Sequence, residues 1–141
     1  MRLPDDARRR LARDAVAWLT TVTAGGGPYP TPVWLVGDGA DLLVFSAPGA
    51  RKVANIGRQP RVAVHLNCSP EGGDVMVITG TARLEMPARP SLHQGFMEKY
   101  GQRIAGRGLS AEQFDALSPA RIVIRPTGVW RGPGRLADEP G

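Results

Sequence analysis

Apolar residues return at every second position along much of this chain and at helical spacing in only a few stretches. In Arg61-Val62-Ala63-Val64-His65-Leu66-Asn67 the alternation of Val62, Val64 and Leu66 predicts a half-buried strand, with His65 on the face of Arg61, Ala63 and Asn67. A longer alternation over 74–85 sets Met76, Ile78, Gly80, Ala82 and Leu84 against Val75, Val77, Thr79, Thr81 and Arg83, and the glycine inside it predicts a bend or bulge. β-Branched Thr20-Thr21-Val22-Thr23 extends a strand over 17–23, and Ala24-Gly25-Gly26-Gly27-Pro28 turns the chain into a second over 29–36. Gly37-Asp38-Gly39-Ala40 then leads into a third over 42–46, and the three are expected to form a meander. The last strand, Arg121-Ile122-Val123-Ile124-Arg125-Pro126, runs on to Trp130.

Helical spacing appears over 4–16, where Leu11, Ala15 and Leu19 recur every four residues with arginines opposite, and Pro4, Asp5 and Asp6 suit a first turn. Leu92, Phe96 and Tyr100 predict one stripe of a helix over 90–100. Ser110-Ala111-Glu112-Gln113 is a capping-box pattern for a short helix ending before Pro119. Six or so antiparallel strands with interspersed helices predict a mainly β fold, a small closed or nearly closed barrel that leaves few exposed strand edges.

Composition agrees with that reading. Eighteen glycines and 13 prolines in 141 residues suit short strands joined by turns rather than a helical bundle. The length predicts one domain over 1–131, with a disordered tail over 132–141. A net charge of +5 favours an anionic partner. Arginine is much preferred to lysine among many alanines, glycines and prolines, the signature of a high-GC genome, and aromatics are only 6%. Both facts argue against nucleic acid, which needs stacking platforms among its cations. Cys68 is alone and the histidines are His65 and His93, so neither an intramolecular disulfide nor a Cys/His metal cluster is expected. Cys68 reads as an inert loop thiol and His93 as a surface residue. No apolar leader and no membrane span is evident, which predicts a cytoplasmic protein.

The most informative segment follows the apolar run Leu42-Leu43-Val44-Phe45. Ser46-Ala47-Pro48-Gly49-Ala50-Arg51-Lys52-Val53-Ala54-Asn55 reads as a turn and a helix start, ending near Gly57, with two cations and an amide in its first turns. Free N–H groups and the positive end of a helix attract anions, and Arg and Lys add full charges. The segment reads as a phosphate cradle, or else as a solvated helix start. It has neither the P-loop pattern nor the G-x-G-x-x-G of a dinucleotide fold.

Six pieces now stand in order: Trp18-Leu19-Thr20-Thr21-Val22-Thr23, Pro30-Thr31-Pro32-Val33-Trp34, the Ser46 to Asn55 segment, Pro60-Arg61-Val62-Ala63-Val64, Gly80-Thr81-Ala82, and Arg125-Pro126-Thr127-Gly128-Val129-Trp130. Over 17–130 this succession resembles the pyridoxamine 5'-phosphate oxidase-like FMN-binding split β-barrel superfamily, and within it the branch that uses the deazaflavin coenzyme F420. The resemblance implies an antiparallel split barrel of six to seven strands and a homodimer with two flavin-type cofactors at its interface. It also implies that Pro32, Val33 and Trp34 lie along the tricyclic ring and that Ser46, Arg51, Lys52 and Asn55 hold the phosphate end. Asn67 and Trp130 fall at the ring end, Trp130 reaching towards the partner subunit's site. Related members carry a basic or hydroxyl residue where this chain has Ala50, and Arg51 would substitute for it. On its own residue type, Trp34 reads more readily as core or dimer interface than as a cofactor contact.

No Ser-His-Asp or Cys-His arrangement and no carboxylate pair stands out, so acyl transfer and glycoside hydrolysis have no visible apparatus. Cofactor redox chemistry needs none, because the cofactor carries the hydride and the protein binds and orients. The leading expectation is an F420-dependent reductase acting on a small unsaturated or conjugated molecule. Arg8, Arg9, Arg58 and Arg61 would meet the coenzyme's anionic tail. An FMN protein of the oxidase type and a non-catalytic cofactor or tetrapyrrole binder are the alternatives.

Overall fold

The structure is a computed structural model that describes residues 1–132. The expected disordered tail therefore lies, beyond Gly132, outside the described residues. The chain runs α1 (Asp5–Arg13), β1 (Ala17–Val22), β2 (Pro28–Val33), β3 (Leu35–Asp38), β4 (Asp41–Ser46), α2 (Arg51–Arg58), β5 (Arg61–His65), β6 (Met76–Glu85), α3 (Gln94–Gly106), α4 (Ala111–Leu117) and β7 (Ala120–Arg131). All seven strands form one antiparallel sheet in the order β2-β1-β5-β6-β7-β4-β3. This curled sheet with four helices is the split-barrel fold.

The expected meander is corrected. The strand predicted over 29–36 divides at Trp34: β2 pairs with β1, whereas β3 pairs with β4 at the opposite edge of the sheet. Val33 and Leu35 both enter the main core while Trp34, between them, joins a second cluster outside it. The chain thus crosses from one sheet edge to the other at a single residue, which is possible only because the sheet curls. Each edge is protected. Pro28, Pro30 and Pro32 stand at alternate positions of β2, so the side of that strand facing away from β1 offers no N–H donors there. On β3, the Leu35 N–H donates to the Tyr100 hydroxyl at 2.8 Å, and the Leu35 carbonyl accepts from Lys99 Nζ at 2.7 Å.

Inside the curl, Leu19, Leu35, Val44, Val64, Ile78, Ile122 and Ile124 pack with Leu3 and Leu11 around α1 and Val53 and Ile56 of α2. Outside β3 and β4, Phe96, Tyr100, Ile104 and Phe114 of α3 and α4 cover Val36 and Phe45. Covered on both faces, β4 needs an unbroken apolar run, and Leu42, Leu43 and Val44 are all buried. The irregularity expected at Gly80 is present as a register shift between Thr79 and Gly80, where an added Cβ would lie 2.6 Å from the Arg125 carbonyl oxygen.

Two helix expectations are also corrected. α1 ends at Arg13 rather than 16, and the Ala15 carbonyl accepts from the Tyr100 hydroxyl at 2.7 Å instead of from an amide one turn on. The helix over 90–100 is a short 3-10 turn, Pro90–Leu92, followed by α3, so Leu92 falls out of phase and is 73% exposed. The break is made by His93, whose Nδ1 accepts from the Phe96 N–H at 3.0 Å and caps α3. No described helix is long and apolar enough to cross a membrane.

Candidate functional site

Strand β4 delivers Ser46 to the mouth of the curl, and the turn Ala47-Pro48-Gly49-Ala50 reverses the chain into α2. The Val53 N–H closes onto the Ala50 carbonyl at 3.0 Å, but Ala50 has no side chain to cap the helix and its first turn holds no acid. The Ala50 N–H is used within the turn, on the Ala47 carbonyl at 3.2 Å, which leaves those of Arg51 and Lys52 at the positive end of the helix dipole. Lys52 stands among them, half-buried and without an acidic partner among the described residues. Burial holds its ammonium below the usual lysine range, a penalty that a bound anion would relieve.

Lys52 lines a cleft of about 460 Å³ together with Pro32, Val33, Trp34, Ser46 and Arg107. The Trp34 indole lies parallel to Tyr100, with ring centroids 4.8 Å apart, and stacks on Phe114 at 6.0 Å. The Arg107 guanidinium sits 4.7 Å from the Trp34 ring centre. Tyr100 is fixed in turn by its hydroxyl, bonded to Leu35 and Ala15, and burial pushes that phenol up to about 12. The cleft thus has a cation and open N–H groups at one end, an aromatic wall, and a second cation on that wall. Such a combination suits a planar ring carrying a phosphate.

Five of the sequence-predicted site residues meet here: Pro32, Val33, Trp34, Ser46 and Lys52. Ser46 is buried, and its hydroxyl donates to the Ala47 carbonyl at 3.0 Å. The other four do not line the cleft. Arg51 is exposed and lies over Tyr29, 5.3 Å from the ring centre. Asn55 faces inward, fully buried: its Nδ2 donates to Thr21 Oγ1 at 3.0 Å and its Oδ1 accepts from Arg58 at 2.8 Å. Its amide ties α2 to β1. Asn67 is exposed, accepting from Trp18 Nε1 at 3.0 Å, and Trp130, 55% exposed, stands on the far strand β7. Register aligns Pro32, Trp18, His65, Val77 and Trp130 in one row across β2, β1, β5, β6 and β7, on the face turned away from the core.

Arg107 was not legible in the sequence. It lies 73 positions after Trp34 in a turn that follows α3, and only the packing of α3 on β3 brings it back to the cleft.

The curled antiparallel sheet has counterparts among known proteins. The family model for pyridoxamine 5'-phosphate oxidase matches residues 3–130. The chain belongs to this family. Its split barrel is also shared by solved structures. An F420 reductase is 20% identical over 91% of this chain and 98% of its own, with a TM-score of 0.70. A candidate pyridoxamine 5'-phosphate oxidase from Listeria innocua is 23% identical over 89% and 94%, with a TM-score of 0.65. HutZ, the haem storage protein of Vibrio cholerae, is 17% identical over 95% and 98%, with a TM-score of 0.64. At these identities the likeness is one of fold. No curated protein matches the chain.

Proposed function

We propose that the cleft binds a flavin-type cofactor and that the protein is a reductase using coenzyme F420 on a small unsaturated or conjugated molecule. The observation that carries this reading is the pairing, in one cleft, of an acid-free, uncapped helix turn bearing half-buried Lys52 with the Trp34 wall. Lys52 and the N–H groups of the α2 turn would hold the phosphate, with Ser46 at the strand end beside them. The backbone and side chains of Pro32, Val33 and Trp34 would border the ring and keep water from one side of it. When bound, the reduced deazaflavin supplies the hydride. Arg107 would offer its guanidinium to a substrate carrying negative charge or a carbonyl oxygen, and the proton would come from solvent at the open mouth. A second copy of the chain would cover the outer row from Pro32 to Trp130 and carry Asn67 and Trp130 towards its partner's cleft.

The second reading, an FMN protein of the oxidase type, draws support from the family description and from the placement of the arginines. Arg58 is hydrogen-bonded to Asn55, and Arg8 pairs with Asp5 on α1, so neither extends the cleft's charge directly. A haem-binding role gains no support from the histidines: His93 caps α3 and His65 stacks on Trp18, both away from the cleft.

Fluorescence titration with F420 and FMN decides between the first two. F420 is expected to bind more tightly at low ionic strength and to weaken more steeply as the Debye length falls from ~10 Å at 0.1 M salt towards ~3 Å at 1 M. Neutralising Arg61, exposed at the start of β5, flattens that slope. Tighter binding of FMN at every salt concentration, with yellow purified protein, replaces the first reading by the second.

A further inference from the structure

A second cavity of about 460 Å³ lies between α1, the β3–β4 turn and α3, and no residue lines both it and the cleft. Its apolar walls are Leu3, Leu11, Val36 and Leu42. Small residues, among them Ala12, Gly39 and Gly95, leave the space open, and its size falls within the range of small-molecule sites. Lys99 reaches into this setting. Two of its ammonium hydrogens are held by backbone carbonyls, Leu11 at 2.6 Å and Leu35 at 2.7 Å; the third has no oxygen or nitrogen acceptor among the described residues, the ammonium lying 5.0 Å from the Tyr100 ring centre.

We propose that this cavity binds a small monocarboxylate with an apolar body, its head on the free Lys99 N–H and its chain along Leu3, Leu11, Val36 and Leu42. The one Lys99 donor left suits one carboxylate, and Arg8, the other cation of the lining, is paired with Asp5 at 3.7 Å. Asp41 and Glu98 in the same lining oppose a dianion such as a phosphate ester. An imine on Lys99 is disfavoured, because it would take hydrogens away from the two carbonyls that hold the side chain. Burial pushes the Lys99 ammonium down to about 8, a shift that Arg103 reinforces and Asp14 opposes, so an anionic head would relieve a penalty already present. The proposal is independent of the cofactor reading, because it shares no lining residue with that cleft.

The probe is octanoate, with octanol as its uncharged counterpart, followed by calorimetry and by amide shifts at Gly37, Gly39 and Gly95. Octanoate is expected to bind one per chain, at least roughly tenfold more tightly than octanol, as a charge-assisted hydrogen bond implies. Ala12→Trp, at an exposed site on α1 that lines the cavity, should abolish binding by filling the space. Lys99→Met should remove the preference for octanoate. If that variant does not fold, the wild-type comparison with octanol and the Ala12→Trp result decide alone. No binding, equal binding of octanol, or binding unchanged by Ala12→Trp overturns the proposal, as do shifts confined to the Lys52 cleft.

Discussion

Lys52 is half-buried, and no carboxylate among the described residues pairs with it. Arg121 pairs with Glu85 at 2.6 Å and Arg131 with Asp6 at 2.8 Å, so their charges are already answered. An ammonium left alone beside open peptide N–H groups should therefore contribute disproportionately to anion affinity. Lys52→Ala is expected to weaken cofactor binding by roughly tenfold to a hundredfold, the equivalent of a charge-assisted hydrogen bond of ~1.5–3 kcal/mol. Titration of the folded variant measures it, and unchanged affinity removes the cradle. Both Lys52 and Ser46 were legible in the sequence because strand, turn and helix are contiguous there. Asn55, expected at the same site, does not line the cleft: a residue one turn into a helix can face either way, and here the buried Thr21 hydroxyl draws its amide inward.

At the scale of elements, α3 acts as a bolt across the sheet's exposed edge. Lys99 and Tyr100, adjacent on it, reach α1, the α1–β1 connection and β3, and both are displaced from their ordinary titration ranges by burial. The consequences for stability have opposite signs. An unfolded chain keeps the lysine proton up to its usual 10.5 whereas the folded one releases it near 8. Between those values the unfolded state binds more protons, so stability rises with pH. For the phenol the folded state keeps its proton to about 12 and the unfolded one loses it near 10.0, so stability falls across that window. Urea denaturation at several pH values should accordingly show greatest stability near pH 10, with a decline towards pH 12. Lys99→Met should shrink the rising limb to the part that Lys52 contributes, and Tyr100→Phe should abolish the falling one. None of this was readable from sequence. The stripe of Phe96 and Tyr100 was visible, but Leu92 seemed to extend it because the cap made by a histidine side chain leaves no periodic trace. The division at Trp34 was hidden for a similar reason: Val33, Trp34, Leu35 and Val36 are continuously apolar, and only the change of pairing partner ends one strand and begins the next.

At the scale of the molecule, the row Pro32, Trp18, His65, Val77 and Trp130 gives the outer face of the sheet an aromatic and apolar band. Trp18 and His65 stack with rings 4° from parallel, while Trp130 remains 55% exposed. A band of that kind is the surface that the proposed second copy would cover. Light scattering at micromolar concentration is expected to give twice the 15.1 kDa of one chain. A monodisperse monomer would contradict the dimer and the interface-bound cofactor together. Most strands were legible from alternation, β-branched runs and turn residues, and the split barrel from the resemblance, whereas the outer band needed the register, because its five members come from five strands.

Where β2 passes into β3 the wall has neighbours in sequence but no ladder between them. Parting the wall along that line breaks no inter-strand hydrogen bond, while parting it anywhere between β1 and β4 breaks several. Thermal breathing must then be uneven, with amide protons of β2 and β3 exchanging with solvent sooner than those of β5, β6 and β7. The cleft opens beside this line, at Pro32, Val33 and Trp34. A bulky guest is expected to part β2 from β3 there before it opens any ladder, against the hold that Lys99 and Tyr100 keep on Leu35.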